Sequence, residues 1–494
     1  MSGALAVAVG MLAAAITEVA SPIDAVGSEV IDRAPRWVKE WAIEQFGTDD
    51  KLALRIGIIT ILALAALGVG FLSAARPVIG MAGIGVFGVV GALAAAHRPT
   101  ESAGAGVPSL LGAVVGAMVL HRLVRQRPPT VEYPHESRVP LGWDRRRFLI
   151  AGGATAAGAV AIGGLGVAIE RRRVAAIRED ASAPLPTLPG PSDDTPRGAQ
   201  VFDDTPFITP NGNFYRIDTA LSFPRIDVDS WRVTINGMVE REVSFSYADL
   251  LAMPQVERMV TLCCVSNAVG GKYIGNAVWR GVMLADLLDQ AGVHDEAQQV
   301  FSTSLDGWTC GFPVAAAFDG RDAMIAVGMN GETLPLEHGY PARLVVPGLY
   351  GYVSATKWLS EITLTDWDRQ GYWVPRGWSR DAPIKTQSRI DVPRNGQRLA
   401  AGTHAIAGIA WAQYRGIEKV EVRVDGGEWR EARLGTDVTD DAWRQWIFEW
   451  DAAPGEHEIQ VRATDKNGET QTADEASPAP DGATGHHTIT ARVE

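Results

Sequence analysis

The chain has 494 residues, too many for one ordinary domain, and its apolar residues are unevenly distributed. Up to about residue 170 it is rich in Ala, Gly, Val, Leu and Ile, whereas beyond residue 200 its composition is that of a water-soluble protein. The net charge of -13, with no basic stripe in the soluble part, excludes a nucleic-acid partner, and three cysteines exclude a disulfide framework as the organising device.

Four uncharged segments are each about long enough to cross a hydrocarbon core of roughly 30 Å as a helix. They are residues 56–75, 77–96, 102–120 and 148–169. A fifth apolar segment, 2–17, is shorter and is compatible with a marginal span, an interfacial helix or a signal-like segment. We therefore predict a transmembrane anchor of four or five helices over residues 1–175.

The charges between these segments predict an orientation. Segment 121–147 carries seven arginines against three acids, which places it in the cytoplasm by the positive-inside rule. Segment 21–50 carries seven acids against three basic residues, as a non-cytoplasmic loop does. The last span then runs outward, although the arginines at 171–173, just after it, favour the opposite orientation.

The residues before the last span are Asp144-Arg-Arg-Arg-Phe-Leu149, followed by a Gly- and Ala-rich stretch. They resemble a twin-arginine export signal, which implies export after folding. The alternative is an ordinary basic flank of a transmembrane helix. His97 and His121, near the ends of apolar spans, could serve a haem or quinone site, but interfacial histidines are more often boundary residues.

The soluble half divides by its hydrophobic pattern. Segment 176–201 is rich in proline and small polar residues and is predicted to be a linker. In 202–380 short apolar runs alternate with helical patterns, which predicts a mixed α+β domain. After about residue 385 apolar and polar residues alternate with period two, for example at Val420, Val422 and Val424 before a turn at Asp425-Gly426. This pattern predicts a β-sandwich over 381–494. Individual predicted elements are a strand at 231–235, a helix start at 247–251, an amphipathic helix at 282–291 and a buried strand at 342–346.

Two of the three cysteines lie in Thr261-Leu-Cys-Cys-Val-Ser-Asn267. A thiolate is the expected ligand of a redox-active metal, but an adjacent pair with no second pair and no spaced histidines is neither a zinc nor an iron–sulfur pattern. Taken alone, either cysteine is more often a small buried apolar residue.

A second segment, Met329–Gly351 with Lys357 shortly after, places three basic side chains among glycines and prolines. Such a segment can wrap an anionic ligand, with Arg343 as a bidentate fork, Lys357 as a point charge and His338 as a donor. Each charge taken singly is equally compatible with a solvated surface residue.

Together these two segments resemble the sulfite oxidase family of molybdopterin enzymes, over residues 202–494. The resemblance implies a mixed α+β molybdopterin domain and a C-terminal immunoglobulin-like β-sandwich, and the apolar segments add an α-helical transmembrane anchor before them. It implies molybdopterin, the molybdenum cofactor, with Cys264 rather than Cys263 as the metal ligand, because an asparagine follows Cys264 three residues later. The family's catalytic positions fall on Cys264, Arg216 and Tyr372, and its cofactor-binding positions on Phe214, Tyr215, Arg216, Asn267, Asp306, His338, Arg343 and Lys357.

The chain departs from the family pattern after Asn267. Animal and plant members have two arginines there that help to hold sulfite, and here Ala268 and Val269 occupy those positions. The resemblance therefore implies oxygen-atom transfer on a small oxyanion or an S- or N-oxide, with the substrate and the direction of electron flow open.

The resemblance also implies partners and a location. With no cytochrome b5-like domain, the chain must exchange electrons with a separate cytochrome or quinone-linked carrier or through its membrane segment. The cofactor is inserted in the cytoplasm, which favours the export interpretation and an extracytoplasmic catalytic domain on a multi-pass anchor in the lipid bilayer of the cell membrane. The sandwich suggests a homodimer, although an anchored monomer is also compatible. The alternative function is a cell-surface binding or assembly scaffold that has lost the metal.

Overall fold

The computed structural model describes residues 1–35, 38, 41, 42, 45, 46, 50–98, 101, 104–125, 145–186 and 195–494. They form two compact units, the first of residues 1–176 with 219–223 and the second of residues 177–218 with 224–494. Most of the predicted cytoplasmic loop 121–147, including Asp144 of the arginine motif, and the central part of the predicted linker lie outside the described residues.

The described part of the first unit is mainly helical, and its longer helices have described ends. They are α1 (Ser2–Thr17), α2 (Pro22–Arg33), α3 (Asp50–Ala75), α4 (Pro77–Ala96), α5 (Val107–Arg125) and α6 (Arg145–Asp180). Four segments are long and apolar enough to cross a membrane: Lys51–Ser73, Pro77–Ala96, Val107–Val124 and Leu149–Asp180. The helix α5 begins five residues later than the predicted span because Pro108 suits a first helical turn.

The shortest predicted segment, 2–17, coincides with helix α1, and a sharp bend follows it. Helices α1 and α2 meet at 93°, and the pair satisfies the same length and composition test as one broken span or re-entrant loop. Small residues bring α1 and α5 together, since a Cβ on Gly112 would lie 2.2 Å from the Ala6 carbonyl oxygen. Large apolar side chains point outward, Phe71 with 82% of its surface exposed, as expected of helices that face lipid.

The part of the second unit up to residue 365 contains two sheets. The strands are β1 (Arg232–Gly237), β2 (Val243–Ser246), β3 (Val256–Cys263), β4 (Ile274–Met283), β5 (Gln299–Ser304), β6 (Thr309–Pro313), β7 (Met324–Met329), β8 (Glu332–Thr333), β9 (Arg343–Val345) and β10 (Leu359–Thr365). One sheet has the order β2-β1-β10-β5-β6, with β1 and β10 parallel, and the other has the order β3-β4-β7-β8 with β9 paired to β7. In the second sheet β3 ends at Cys263, directly before Cys264, and β9 begins at Arg343.

Four helices accompany these sheets: α7 (Tyr247–Ala252), α8 (Leu284–Ala291), α9 (Ala315–Phe318) and α10 (Gly351–Ser354). Ser246 and Asp249 form a reciprocal capping box that begins α7 where a helix start was predicted. The prediction of a helix from 282 was wrong at its start, because Val282 and Met283 pair with β7 at the end of β4. Helix α8 then buries its apolar face and ends at Gly292, whose φ is 71°.

The C-terminal part is a two-sheet sandwich, as predicted. Its strands are β11 (Gln387–Val392), β12 (Gln397–Leu399), β13 (Gly402–Trp411), β14 (Ile417–Val424), β15 (Arg430–Glu431), β16 (Arg433–Leu434), β17 (Arg444–Ala452), β18 (Gly455–Asp465) and β19 (His487–Val493). The sheet orders are β11-β13-β17-β16 and β12-β19-β18-β14-β15. Val420 and Val422 of β14 and Val461 of β18 are fully buried in the core between the two sheets. The alternation of apolar residues in the sequence therefore predicted which face of these strands points inward.

Candidate functional site

The two adjacent cysteines occupy different environments. Cys263 is the last residue of β3 and is buried in an apolar cluster with Phe207 and Tyr350. Cys264 lies just beyond the strand and is partly exposed; burial raises the pKa of its thiol, and the nearby Ser266 backbone and hydroxyl oppose that rise. Strand alternation therefore sends one thiol into the core and leaves the other at the surface of the site.

The loop after Cys264 folds back on itself. The Cys264 amide donates to the Tyr273 carbonyl oxygen at 2.9 Å, and the Tyr273 amide donates to Asn267 Oδ1 at 2.8 Å. Asn267 is 5% exposed, and its Nδ2 is buried with no hydrogen-bond partner among the described residues. A buried amide donor of this kind needs an acceptor from outside the chain, which a ligand beside Cys264 would supply.

Aromatic side chains line the other side of the site. Phe214 stacks on Tyr215 with ring centroids 5.2 Å apart and meets His338 edge-on at 5.4 Å. A Cβ on Gly275 of β4 would lie 2.7 Å from the Phe214 ring, so glycine is required for this packing. Burial, together with the nearby Cys264 thiol, raises the pKa of Tyr215 well above its usual value, whereas Arg343 opposes that rise. Tyr215 therefore lies close to both the cysteine loop and Arg343.

Arg343 is a buried cation held without a carboxylate among the described residues. Its guanidinium donates to the carbonyl oxygens of Leu344, His338 and Ala355 at 3.1 to 3.4 Å and lies over the Trp279 ring at 4.8 Å. Burial lowers its pKa to about 10, so it remains charged at neutral pH. A buried positive charge surrounded by neutral groups favours an anionic ligand.

The remaining basic residues share one carboxylate. Asp218, with 6% of its side chain exposed, accepts from Arg216 Nε at 2.9 Å and also pairs with Lys357 Nζ. Asp306 lies close enough to this group for Asp218 to raise and Lys357 to lower its pKa, although burial is the largest cause of the net rise. Arg216, Lys357 and Asp306 thus form one polar cluster around Asp218.

His338 is neutral at pH 7, and its ring N–H donates a hydrogen bond within the chain. Burial, with smaller effects of Arg343 and Lys357, lowers its pKa to about 4. Its Nε2 lies 2.9 Å from the Asn211 carbonyl oxygen, and because a carbonyl only accepts, Nε2 carries the proton. His338 therefore fixes the segment before Phe214. The sequence predicted that His338 donates to an anionic ligand, and in the structure its ring N–H donates to the Asn211 carbonyl oxygen.

Tyr372 lies in the segment after β10 and contacts the start of β6. Its amide donates to the Thr309 carbonyl oxygen at 2.9 Å, and Arg376 stacks on its ring at 3.7 Å. The described contacts unite Cys264, Asn267, Phe214, Tyr215, His338 and Arg343, and they join Arg216, Asp306 and Lys357 through Asp218. The position of Tyr372 beside a metal stays a prediction.

Three residues of the site were not found from the sequence. Asp218 could have been suspected from its spacing of two after Arg216, which puts opposite charges within reach of each other. Trp279, under Arg343, and Ser266, near the Cys264 thiol, carry no such signal.

The site residues fit an anionic organic ligand that carries a metal able to bind a thiolate. No three His, Cys, Asp or Glu side chains cluster as a metal site among the residues that the structure describes. A metal here would have one protein thiolate, Cys264, and would depend on an organic ligand for the rest of its coordination. Asn267 Nδ2 and Arg343 are the donors whose chemistry suits that ligand.

Comparison with known proteins agrees with this geometry. Residues 220–373 match the oxidoreductase molybdopterin binding domain, and residues 387–491 match the bacterial Ig domain. The chain is 30% identical to mitochondrial sulfite oxidase of Homo sapiens over 303 residues, which are 52% of this chain and 55% of the human protein. It is 30% identical to sulfite oxidase of Arabidopsis thaliana over 306 residues, 51% of this chain and 75% of the plant protein.

Among solved structures, the sulfane dehydrogenase SoxCD from Paracoccus pantotrophus aligns with a TM-score of 0.51 at 27% identity, covering 58% of this chain and 83% of that chain. The chain spans about half the length of the human protein that it matches. The matches to both soluble domains, and the coverage of three quarters of the plant protein, identify the fold and the cofactor together. The chain belongs to the sulfite oxidase family of molybdopterin-dependent oxidoreductases, whose cofactor is the molybdenum cofactor.

Proposed function

We propose that this protein transfers an oxygen atom to or from a small oxyanion or an S- or N-oxide, outside the cytoplasm, and exchanges electrons with a separate carrier. The observation that carries the proposal is the placement of the partly exposed Cys264 thiol in one site with Arg343, a buried cation that has no carboxylate partner among the described residues. A scaffold protein without a metal needs neither group. The bound cofactor supplies the two-electron redox chemistry, and the chain supplies ligation, orientation and charge.

We assign the roles of the site residues as follows. Cys264 binds the metal through its sulfur, and Asn267 Nδ2 donates to the organic ligand. Arg343 and the Asp218-linked Lys357 attract the ligand's negative charge, while His338, Phe214 and Tyr215 shape the wall of the site. Arg216 and Tyr372 are our candidates for contact with substrate oxygen atoms, as a cation and a phenol donor.

The charge beside the cysteine affects how strongly an anionic substrate is held. Ala268 and Val269 leave the cysteine loop without a cation at these two positions, so a dianion is held less strongly there than it would be between several arginines. Two assays separate the directions of reaction: sulfite-dependent reduction of an electron acceptor, and turnover of a sulfoxide driven by a reduced dye. Failure of both with molybdenum-loaded protein would contradict the proposed reaction.

We further propose that residues 1–175 anchor the protein in the cell membrane, that 176–201 link the anchor to the enzyme, and that 202–380 and 381–494 are the catalytic and sandwich domains. Four apolar helices of sufficient length support the anchor. The charge distribution in the sequence supports an outward-facing enzyme and a twin-arginine route. A cytochrome or a quinone-linked protein is the expected electron carrier.

The experiment that tests the function is a comparison of molybdenum and pterin content in wild type, Cys264→Ser and Cys263→Ser. We expect near-stoichiometric molybdenum in the wild type and its loss in Cys264→Ser, because hard oxygen replaces soft sulfur poorly as a ligand. Cys263→Ser is the matched control, since the buried Cys263 thiol faces the apolar cluster. A wild type without molybdenum after expression in a cofactor-competent host would favour the scaffold function.

A further inference from the structure

The loop that carries Cys264 is held by the sandwich as well as by its own sheet. Arg389 of β11 donates from a guanidinium nitrogen to the Gly271 carbonyl oxygen at 2.8 Å. The same guanidinium pairs with Asp391 at 2.6 Å, and the side chains are only 13% and 12% exposed. Because a guanidinium is planar, Arg389 orients the Gly271 carbonyl and the Asp391 carboxylate relative to each other, which a lysine ammonium would not do.

Gly271 transmits this contact to the site. Its amide donates to the Ala268 carbonyl oxygen at 2.8 Å, and a Cβ on it would lie 2.5 Å from Asn267 Oδ1. Asn267 in turn accepts from the Tyr273 amide, which closes the loop. A displacement of the Gly271 carbonyl therefore moves Asn267, whose buried Nδ2 has no hydrogen-bond partner among the described residues.

A second contact from the sandwich reaches the neighbouring residue. Gly270 has a φ of +73°, and a Cβ on it would lie 2.2 Å from Nε2 of His487, at the start of β19. His487 Nδ1 accepts from the Ile390 amide at 2.9 Å, so the ring is tied to the strand that carries Arg389. Asp391 also accepts from the Thr205 hydroxyl at 2.7 Å, which joins the segment leading to Phe214 to the same group.

We propose that Arg389 and His487 are positioning residues, which hold the loop Cys264–Tyr273 so that Cys264 and Asn267 face the cofactor. The sandwich is then part of the catalytic site rather than only an appended module. The inference rests on the proposed function because it takes Cys264 as the metal ligand. The contacts of Arg389 and His487 with the loop do not depend on a bound metal.

The test is hydrogen–deuterium exchange of the full chain in detergent, with Arg389→Gln compared with wild type. Loss of a charge-assisted hydrogen bond should make exchange at the Gly271 and Tyr273 amides about tenfold faster. Arg462→Gln is the matched control, because Arg462 forms a comparable ion pair with Glu421 at 2.9 Å within the sandwich. In Arg462→Gln the Gly271 and Tyr273 amides should exchange at the wild-type rate.

Arg389→Lys keeps the positive charge near Asp391 without the fork, and it replaces Arg389→Gln if that variant does not fold. We expect intermediate loop exchange in it. Unchanged loop exchange would overturn the proposal, and so would an equal acceleration in strands β13 and β17, since that would show a general loss of stability. The readout requires neither metal nor turnover, so its failure is distinguishable from a failure of the proposed reaction.

Discussion

At the scale of single residues, the site is governed by the cost of burying Arg343. Its side chain is surrounded by three carbonyl oxygens and an aromatic ring, which satisfy its hydrogen bonds without neutralising its charge. Burial accordingly lowers its pKa. An anionic ligand compensates a charge that the fold leaves uncompensated.

Arg343→Lys should therefore weaken cofactor binding even though it keeps the charge. A lysine ammonium cannot reach three carbonyl oxygens and a ligand in the planar geometry of a guanidinium, and we expect a loss of about 2 kcal/mol in binding. Pterin content of the purified protein measures it. Arg415→Lys, at an arginine that pairs with Asp465 at 2.8 Å in the sandwich, is the control and should retain wild-type pterin. Full pterin content in Arg343→Lys would contradict the role assigned to Arg343.

The buried histidines predict an acid-sensitive fold. His338 is 4% exposed, and its folded pKa of about 4 lies below the 6.5 of an unfolded histidine. Between these values the unfolded state binds the additional proton, so stability falls as pH decreases from about 6.5 to about 4. The loss from His338 is about 3 kcal/mol, and His487, also shifted to about 4, adds a similar loss.

Denaturant unfolding at pH 7 and at pH 4.5 measures this dependence. His338→Gln, whose amide can still donate to the Asn211 carbonyl oxygen, should remove about half of the histidine contribution. His404→Gln, on strand β13 and outside the site, should leave the dependence unchanged. Equal pH dependence in His338→Gln and wild type would show that the ring does not stay neutral when buried.

The resemblance to the family selected Cys264 over Cys263, because an asparagine follows Cys264 three residues later. The structure places the two thiols in different environments, and the role of Cys264 as metal ligand stays a prediction. The hydrogen bond from His338 to the Asn211 carbonyl oxygen and the pair of Lys357 with Asp218 each join residues more than 100 positions apart. Long-range contacts of this kind leave no local pattern in a sequence.

At the scale of elements, periodicity predicted type better than boundaries. The period-two strands of the sandwich and the apolar spans were found because each pattern is sustained over many residues. The start of α8 was missed because two apolar residues that suit a helix also complete the ladder of β4 with β7. The 93° bend between α1 and α2 was also missed, although Pro22 stands at the start of α2.

Helix α6 begins at Arg145, inside the arginine motif, and extends to Asp180. If the motif is an export signal, the double variant Arg145→Lys with Arg146→Lys should lose export of the catalytic domain, since such a signal depends on the arginine pair rather than on charge. Protease accessibility of the catalytic domain in spheroplasts measures export.

The control for this variant is on the same helix. Arg171→Lys with Arg172→Lys makes the same charge-conserving change beyond the apolar stretch and should leave export intact. Normal export of the Arg145 and Arg146 double variant would instead identify the motif as an ordinary basic flank.

At the scale of the whole molecule, the cofactor should act as a structural element of the second unit. Without it, that unit contains a buried amide donor, Asn267 Nδ2, with no partner among the described residues and the uncompensated charge of Arg343. A ligand that binds only the folded state stabilises it by about 2.7 kcal/mol at one hundred times its dissociation constant. A shift of this size raises the melting temperature of a domain by several degrees.

Calorimetry of the full chain, loaded and cofactor-free, therefore should show a higher melting temperature for the loaded protein. Because two compact units need not unfold together, the shift should appear in one transition and leave the transition of the helical unit in place. In Cys264→Ser the shift should be clearly smaller, since the variant loses the thiolate bond to the metal and keeps only the contacts of Asn267 and Arg343 with the organic ligand. A shift of equal size in Cys264→Ser and wild type would mean that the cofactor is held without the thiolate, and the central role of Cys264 would be lost.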